Sequence, residues 1–316
     1  MDNKRKISFF IIISTILILI FIFSGLNSNN KYYFLSKRIP KVIAIIITGV
    51  SIAFSSMVFQ TITNNRILTP SILGLDSLYI FIQTFIIFVL GSGHIIVTNN
   101  NLNFILSGSL MIFFSALVYK FLFKKNQNDI LFLLLAGLIL GSLFQSLSSF
   151  MQMLIDPNEF LHVQDIMFAS FNNINVKVLW ISSLLVFILT IYTYKYTEIL
   201  DVLSLGKEQS INLGINYDDI VKRMLIVVSL LISVSTALVG PITFLGLLVV
   251  NLAREFLSTF KHRYLMAVSG LISIVALLGG QLLVERVFNF STPISVIINF
   301  IGGLYFIYLL IKENKI

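Results

Sequence analysis

From Leu131 to Phe150 the chain runs for twenty residues without a charged side chain. A helix rises about 1.5 Å per residue, so about 20 apolar residues match the hydrocarbon thickness of a bilayer. Comparable runs recur along almost the whole chain. Hydropathy and breakers place them at about 8–26, 40–61, 71–91, 103–122, 130–152, 177–196, 222–239, 242–257, 264–284 and 293–311. This repetition predicts an all-α polytopic membrane protein with ten transmembrane helices in one domain, residues 1–316. Barrel strands fit poorly, because these runs are far longer than about 10 residues and lack alternation.

Composition agrees: 57% of the residues are hydrophobic and only 11% charged, against about 25% charged in a soluble domain. The net charge of +8 does not imply nucleic acid, because the basic residues cluster between apolar runs. Positive charge flanking spans orients them, with the richer side cytoplasmic. With both termini cytoplasmic and ten spans, sixteen of the 22 basic residues fall inside. Only Lys31, Lys37, Arg38, Lys41, Lys177 and Arg286 fall outside. The start, KRKISFFIIISTILILIFIFSGL, has the basic opening of a signal peptide but too long an apolar run, and it reads as a retained first helix.

Pro241 follows Gly240 in VGPITF, which predicts either a turn between two helices or a break inside one. Two loops are long. Residues 152–177 contain DPNEF and HVQDIMFASF and predict a short helix lying along the bundle. Residues 197–223, TEILDVLSLGKEQSINLGINYDDIVKR, carry apolar residues at helical spacing, Leu200, Leu203 and Leu205 before Gly206 and Ile211, Leu213 and Ile215 after it. Gly206 and Gly214 are placed to end or turn short helices. A pair of short amphipathic helices follows, read equally as a docking surface or as an ordinary interfacial loop.

The residues of known chemistries are scarce. The chain has no cysteine, and His94, His162 and His262 are expected in loops without ligand spacing. No GxxxxGK[ST] phosphate loop is present, and LGKEQS does not replace one. Ser146, Ser148 and Ser149 have no histidine nearby in sequence. Asp76, near the start of the third run, is either functional or a helix cap. Gln60, Gln145 and Gln281 read first as packing amides. No span shows the spaced carboxylates of an ion-coupled pump, so no enzyme activity and no cofactor are expected, and an energy source lies in a partner.

Five segments together carry a resemblance. They are RIPK (Arg38 to Lys41) leading to MVFQ (Met57 to Gln60); NNRILTPSILGLDS (Asn64 to Ser77); LSLGKEQSINLGI (Leu203 to Ile215); GPITFLGLLVVNLAR (Gly240 to Arg254) with KHR; and STPISVIINFIGGLYFIYLL (Ser291 to Leu310). In this order they resemble the FecCD-type, BtuC-like permeases of bacterial type II ABC importers for iron–siderophores, haem or cobalamin. The chain departs from that pattern at Val250-Asn251, where Pro-His is usual, and at Gln281, where aspartate is common.

The resemblance implies ten helices with cytoplasmic termini and a permease that pairs with a homologous permease, as a homo- or heterodimer. It implies two cytoplasmic ATPase subunits and an extracellular substrate-binding protein. Residues 197–221 would be the cytoplasmic coupling segment, with Leu203, Leu205, Gly206, Glu208, Leu213 and Gly214 meeting the ATPase. Arg38, Lys41 and Arg286 would meet the binding protein, although the residues alone suggest simple snorkelling of Arg38 and Lys41. The implied function is import of a ferric siderophore across the bacterial cell membrane, with haem, cobalamin and an ion-coupled secondary transporter as alternatives.

Overall fold

The computed structural model describes residues 3–24, 31–123, 130–172 and 174–313, and these contain helices and no strand. The basic residues Lys124, Lys125 and Lys315, counted above on the cytoplasmic side, lie outside the described residues.

Fourteen α-helices follow one another: α1 (Asn3–Phe23), α2 (Lys31–Ile62), α3 (Leu75–Leu90), α4 (Ile95–Thr98), α5 (Asn100–Phe123), α6 (Ile130–Leu154), α7 (Pro157–Met167), α8 (Val176–Lys195), α9 (Thr197–Leu203), α10 (Lys207–Asn212), α11 (Tyr217–Val239), α12 (Leu245–Phe256), α13 (His262–Arg286) and α14 (Ile294–Glu313). A 3-10 turn, Pro70–Leu73, precedes α3.

Each of the ten apolar runs contains a helix, but among the described residues eight helices are long and apolar enough to cross a membrane. α3 has 16 residues and α12 has 12. At about 1.5 Å per residue these span about 24 and 18 Å, short of a full crossing.

The reason for the short α12 is visible at its start. Gly240 takes φ 104°, a conformation that disfavours a side chain, and Pro241 supplies no amide. The unwound backbone is satisfied by neighbours: the Gly240 amide donates to Thr236 O at 2.8 Å, and the Ser170 amide donates to Val239 O at 2.9 Å. Phe244 lies against Gly302 of α14, and its amide donates to Asn299 Oδ1 at 3.4 Å. Irregular backbone at membrane depth is tolerated where protein meets its polar groups. The VGPITF break therefore lies inside the bundle, and α12 is a half-length helix.

α2 is the central element, packed on α1, α8, α11, α12 and α13. Every residue from Ser51 to Ile62 is buried. Small residues permit this: a Cβ on Gly49 would stand 2.8 Å from Ser273 Oγ of α13, and one on Gly246 would collide with Ser56. Hydroxyls within the packed helices return their protons to their own helix, as in Ser55 to Ile52 O and Ser148 to Phe144 O. The predicted helix after residue 152 is α7, whose Glu159 Oε2 accepts from the Ser92 amide. His162 lies on α7 and His262 on α13, so two of the three histidines are helical rather than in loops.

Candidate functional site

The segment 197–216 forms a compact hairpin at the end of the bundle where α2 finishes. α9 is held by Leu200 and Leu203, which are fully buried, and it packs on α2, α8 and α13. Asp201 fixes its position: Oδ1 accepts from the His262 backbone amide at 2.6 Å and faces His262 Nδ1 at 2.6 Å. A carboxylate only accepts, so the Nδ1 proton points to Asp201. Nε2 then faces the Thr61 hydroxyl at 2.7 Å, linking α9, α13 and the end of α2 in one chain.

Gly206, at φ 99°, turns the backbone into α10. Ser210 is buried, and its hydroxyl reaches Gly206 O at 2.7 Å and Val202 O at 3.1 Å, closing α10 onto α9. Gly214, at φ 83°, releases the chain towards α11. Lys207 pairs with Asp218 at 3.8 Å. The outer surface presents Leu205 (56% exposed), Ile211 (51%) and Leu213 (62%) beside exposed Glu208. Large apolar side chains are thus exposed on an otherwise polar hairpin. Of the six residues expected there, Leu205, Gly206, Glu208, Leu213 and Gly214 shape or present that surface. Leu203 lies in the core behind it.

At the opposite end, Arg38, Lys41 and Arg286 stand close to the end of α1, and all three have partners within the chain. Arg38 donates to Ile22 O at 2.9 Å and Ser24 O at 2.6 Å, and lies 5.3 Å from the Phe34 ring centre. Arg286 donates to Ser24 O and Ser24 Oγ, both at 3.1 Å. The last carbonyls of a helix lack internal donors and carry partial negative charge, so two guanidiniums cap α1 well. Lys41 meets Glu285 at 2.6 Å and Asn172 Oδ1 at 3.2 Å. Gln281 donates to both of those acceptors. Sequence reasoning missed Glu285 and the Asp201–His262 pair, since neither forms a local motif.

Among the described residues no cluster of three or more histidines and acidic residues is placed to hold a metal ion. At the end that carries Lys41 and Glu285, polar recesses open beside α7. One, of about 230 Å³, is lined by Tyr79, Gln83, Asn103, Asp165, Ser170 and Asn175 among others.

A model of the FecCD transport family matches residues 6–312. The petrobactin import system permease protein YclO of Bacillus subtilis (strain 168) is 61% identical over 315 residues, covering all of this chain and 99% of that protein. The petrobactin import system permease protein FatC of Bacillus anthracis is 34% identical over 280 residues, covering 89% of this chain and 79% of that protein. The solved structure of a metal-chelate type ABC transporter in an inward-facing conformation superposes with a TM-score of 0.83. It covers 98% of this chain and 100% of the other at 22% identity, which shows a shared fold.

Proposed function

The chain belongs to the FecCD transport family, and on that premise we propose that it is the multi-pass permease subunit of a bacterial ABC importer that brings a ferric siderophore of the petrobactin class into the cell. The observation that carries this reading is the 61% identity, over essentially both full lengths, to a petrobactin import permease. It favours a siderophore over haem or cobalamin.

In this reading the permease contributes a path and mechanical coupling, and the covalent chemistry belongs to ATPase subunits. The hairpin end faces the cytoplasm, in accord with the excess of basic residues there. Residues 197–221 are the coupling segment. Gly206 and Gly214 give it its shape, Leu205, Glu208 and Leu213 form the contact, and Leu203 anchors it. A second permease completes the path, and a binding protein delivers the chelate at the Arg38, Lys41 and Arg286 end. Because Lys41 is already paired with Glu285, its part there is to hold the surface in shape. Exposed Arg286 is the better electrostatic guide.

The test is uptake of ferric petrobactin by proteoliposomes holding this chain with its partner permease, ATPase and binding protein. ATP-dependent uptake that stops when the ATPase is inactivated is expected. Uptake that ignores the ATPase and collapses with an ion gradient would make the chain a secondary transporter.

A further inference from the structure

A cavity of about 500 Å³ opens beside the hairpin, where α2, the 64–66 turn, the end of α12, the 257–261 loop and the start of α13 converge. Its charged lining is one-sided: Arg66 and Arg254 contribute guanidiniums, and no lining residue is acidic. Among the described residues neither arginine lies within ion-pair distance of a carboxylate. Arg254 donates weakly to Met57 Sδ at 3.7 Å.

One further feature favours a ligand. Gln60 lines the cavity, is 1% exposed, and neither Nε2 nor Oε1 has a hydrogen-bond partner. A buried amide left unpaired costs free energy, so it calls for a partner that the chain itself does not supply. The start of α13 at the cavity does not add to this, because the His262 amide already donates to Asp201 Oδ1. Complementing the C-terminus of α12 would account for Arg254 alone. The positive-inside orientation accounts for exposed Arg66, but neither accounts for the orphaned Gln60.

We propose that this cavity is a binding site for a phosphate-type oxyanion, held by Arg66 and Arg254 with Gln60 donating from the floor. Guanidinium groups and amide donors are the groups that recognise such oxygens. Ser204, at the junction of α9 and α10, also lines the cavity, so an occupant bridges the hairpin to α2, α12 and α13. The phosphate belongs either to a soluble compound or to the headgroup of an anionic phospholipid, whose charge no choline offsets.

The full chain in nanodiscs distinguishes these sources. In phosphatidylcholine discs, inorganic phosphate is titrated against chloride at equal ionic strength while thermal unfolding is followed. In the second arm, discs containing phosphatidylglycerol replace the phosphatidylcholine discs. Stabilisation of the wild-type chain in one arm, with apparent affinity roughly tenfold or more weaker in R66Q/R254Q, supports the site and names the source. Gln60→Leu is expected to raise the unfolding temperature without ligand, because it removes the unpaired amide, and to weaken the same response. Responses equal in wild type and R66Q/R254Q, or absent from both arms, overturn the proposal. Neither outcome depends on transport, so it leaves the siderophore reading intact.

Discussion

Lys41 and Glu285 meet at 2.6 Å with side chains only 13% and 12% exposed, and Gln281 and Asn172 complete the set. Such a pair stabilises little over an apolar substitute, but removing one member strands the other charge. Lys41→Met is therefore expected to cost about 3 kcal/mol, seen as a lower unfolding temperature in detergent. The double variant K41M/E285Q should recover part of that loss. Equal melting of wild type and K41M would leave the pair without a structural role. The sequence located Lys41 at a helix end but not its partner, which lies 244 residues away. For the same reason the contacts by which Arg38 and Arg286 cap α1 were not legible. A side chain's partner across a bundle has no local signature.

At the scale of elements, the long helices were legible because twenty apolar residues have few alternative fates. The lengths of α3 and α12 were not, because an end inside the bundle depends on which remote group meets the freed backbone. Pro241 marked the break, but the Ser170 amide that supports it comes from another loop. The hairpin was legible through Gly206 and Gly214, both at positive φ. Its inward and outward faces were not, since Leu203 and Leu205 are separated only by a turn and differ from 1% to 56% exposure. Close helix approach makes a further prediction. A Cβ on Gly137 of α6 would lie 2.8 Å from Ile72 O and 2.9 Å from Leu73 Cα, against backbone that has little room to move. Gly137→Val should destabilise the chain by about 2 kcal/mol or more and separate the 3-10 turn from α6, measurable by thermal unfolding; an unchanged midpoint would show that the turn yields freely. Asp201→Ala should loosen α9, because it removes the acceptor of two contacts from His262. Hydrogen exchange within 197–214 is expected to speed up several-fold while exchange in α6 stays unchanged. Uniform exchange across both segments would argue that Asp201 does not hold the hairpin.

For the whole molecule, the proposed function requires energy to enter through a surface, because the sequence contains no GxxxxGK[ST] phosphate loop. The hairpin offers Leu205, Ile211 and Leu213 outside and Leu200 and Leu203 inside. This division separates coupling from folding. Burying leucine side chains at an interface removes apolar surface from water and so favours association, whereas exposed side chains contribute little to the fold. L205S/L213S is therefore expected to retain the wild-type unfolding temperature, yet to lose roughly tenfold or more in ATPase co-purification and to fall correspondingly in ATP-driven uptake. Leu203→Ala should lose about 2–5 kcal/mol of stability and lose coupling as a consequence of a displaced hairpin. If L205S/L213S kept both its ATPase and its uptake, force would have to enter elsewhere. The charged flank of Lys207 and Glu208 would then be the next surface to replace. If instead the double variant melted early, Leu205 and Leu213 would belong to the fold rather than to the contact. Only a stable, uncoupled permease fits a hairpin that is anchored from one side and driven from the other.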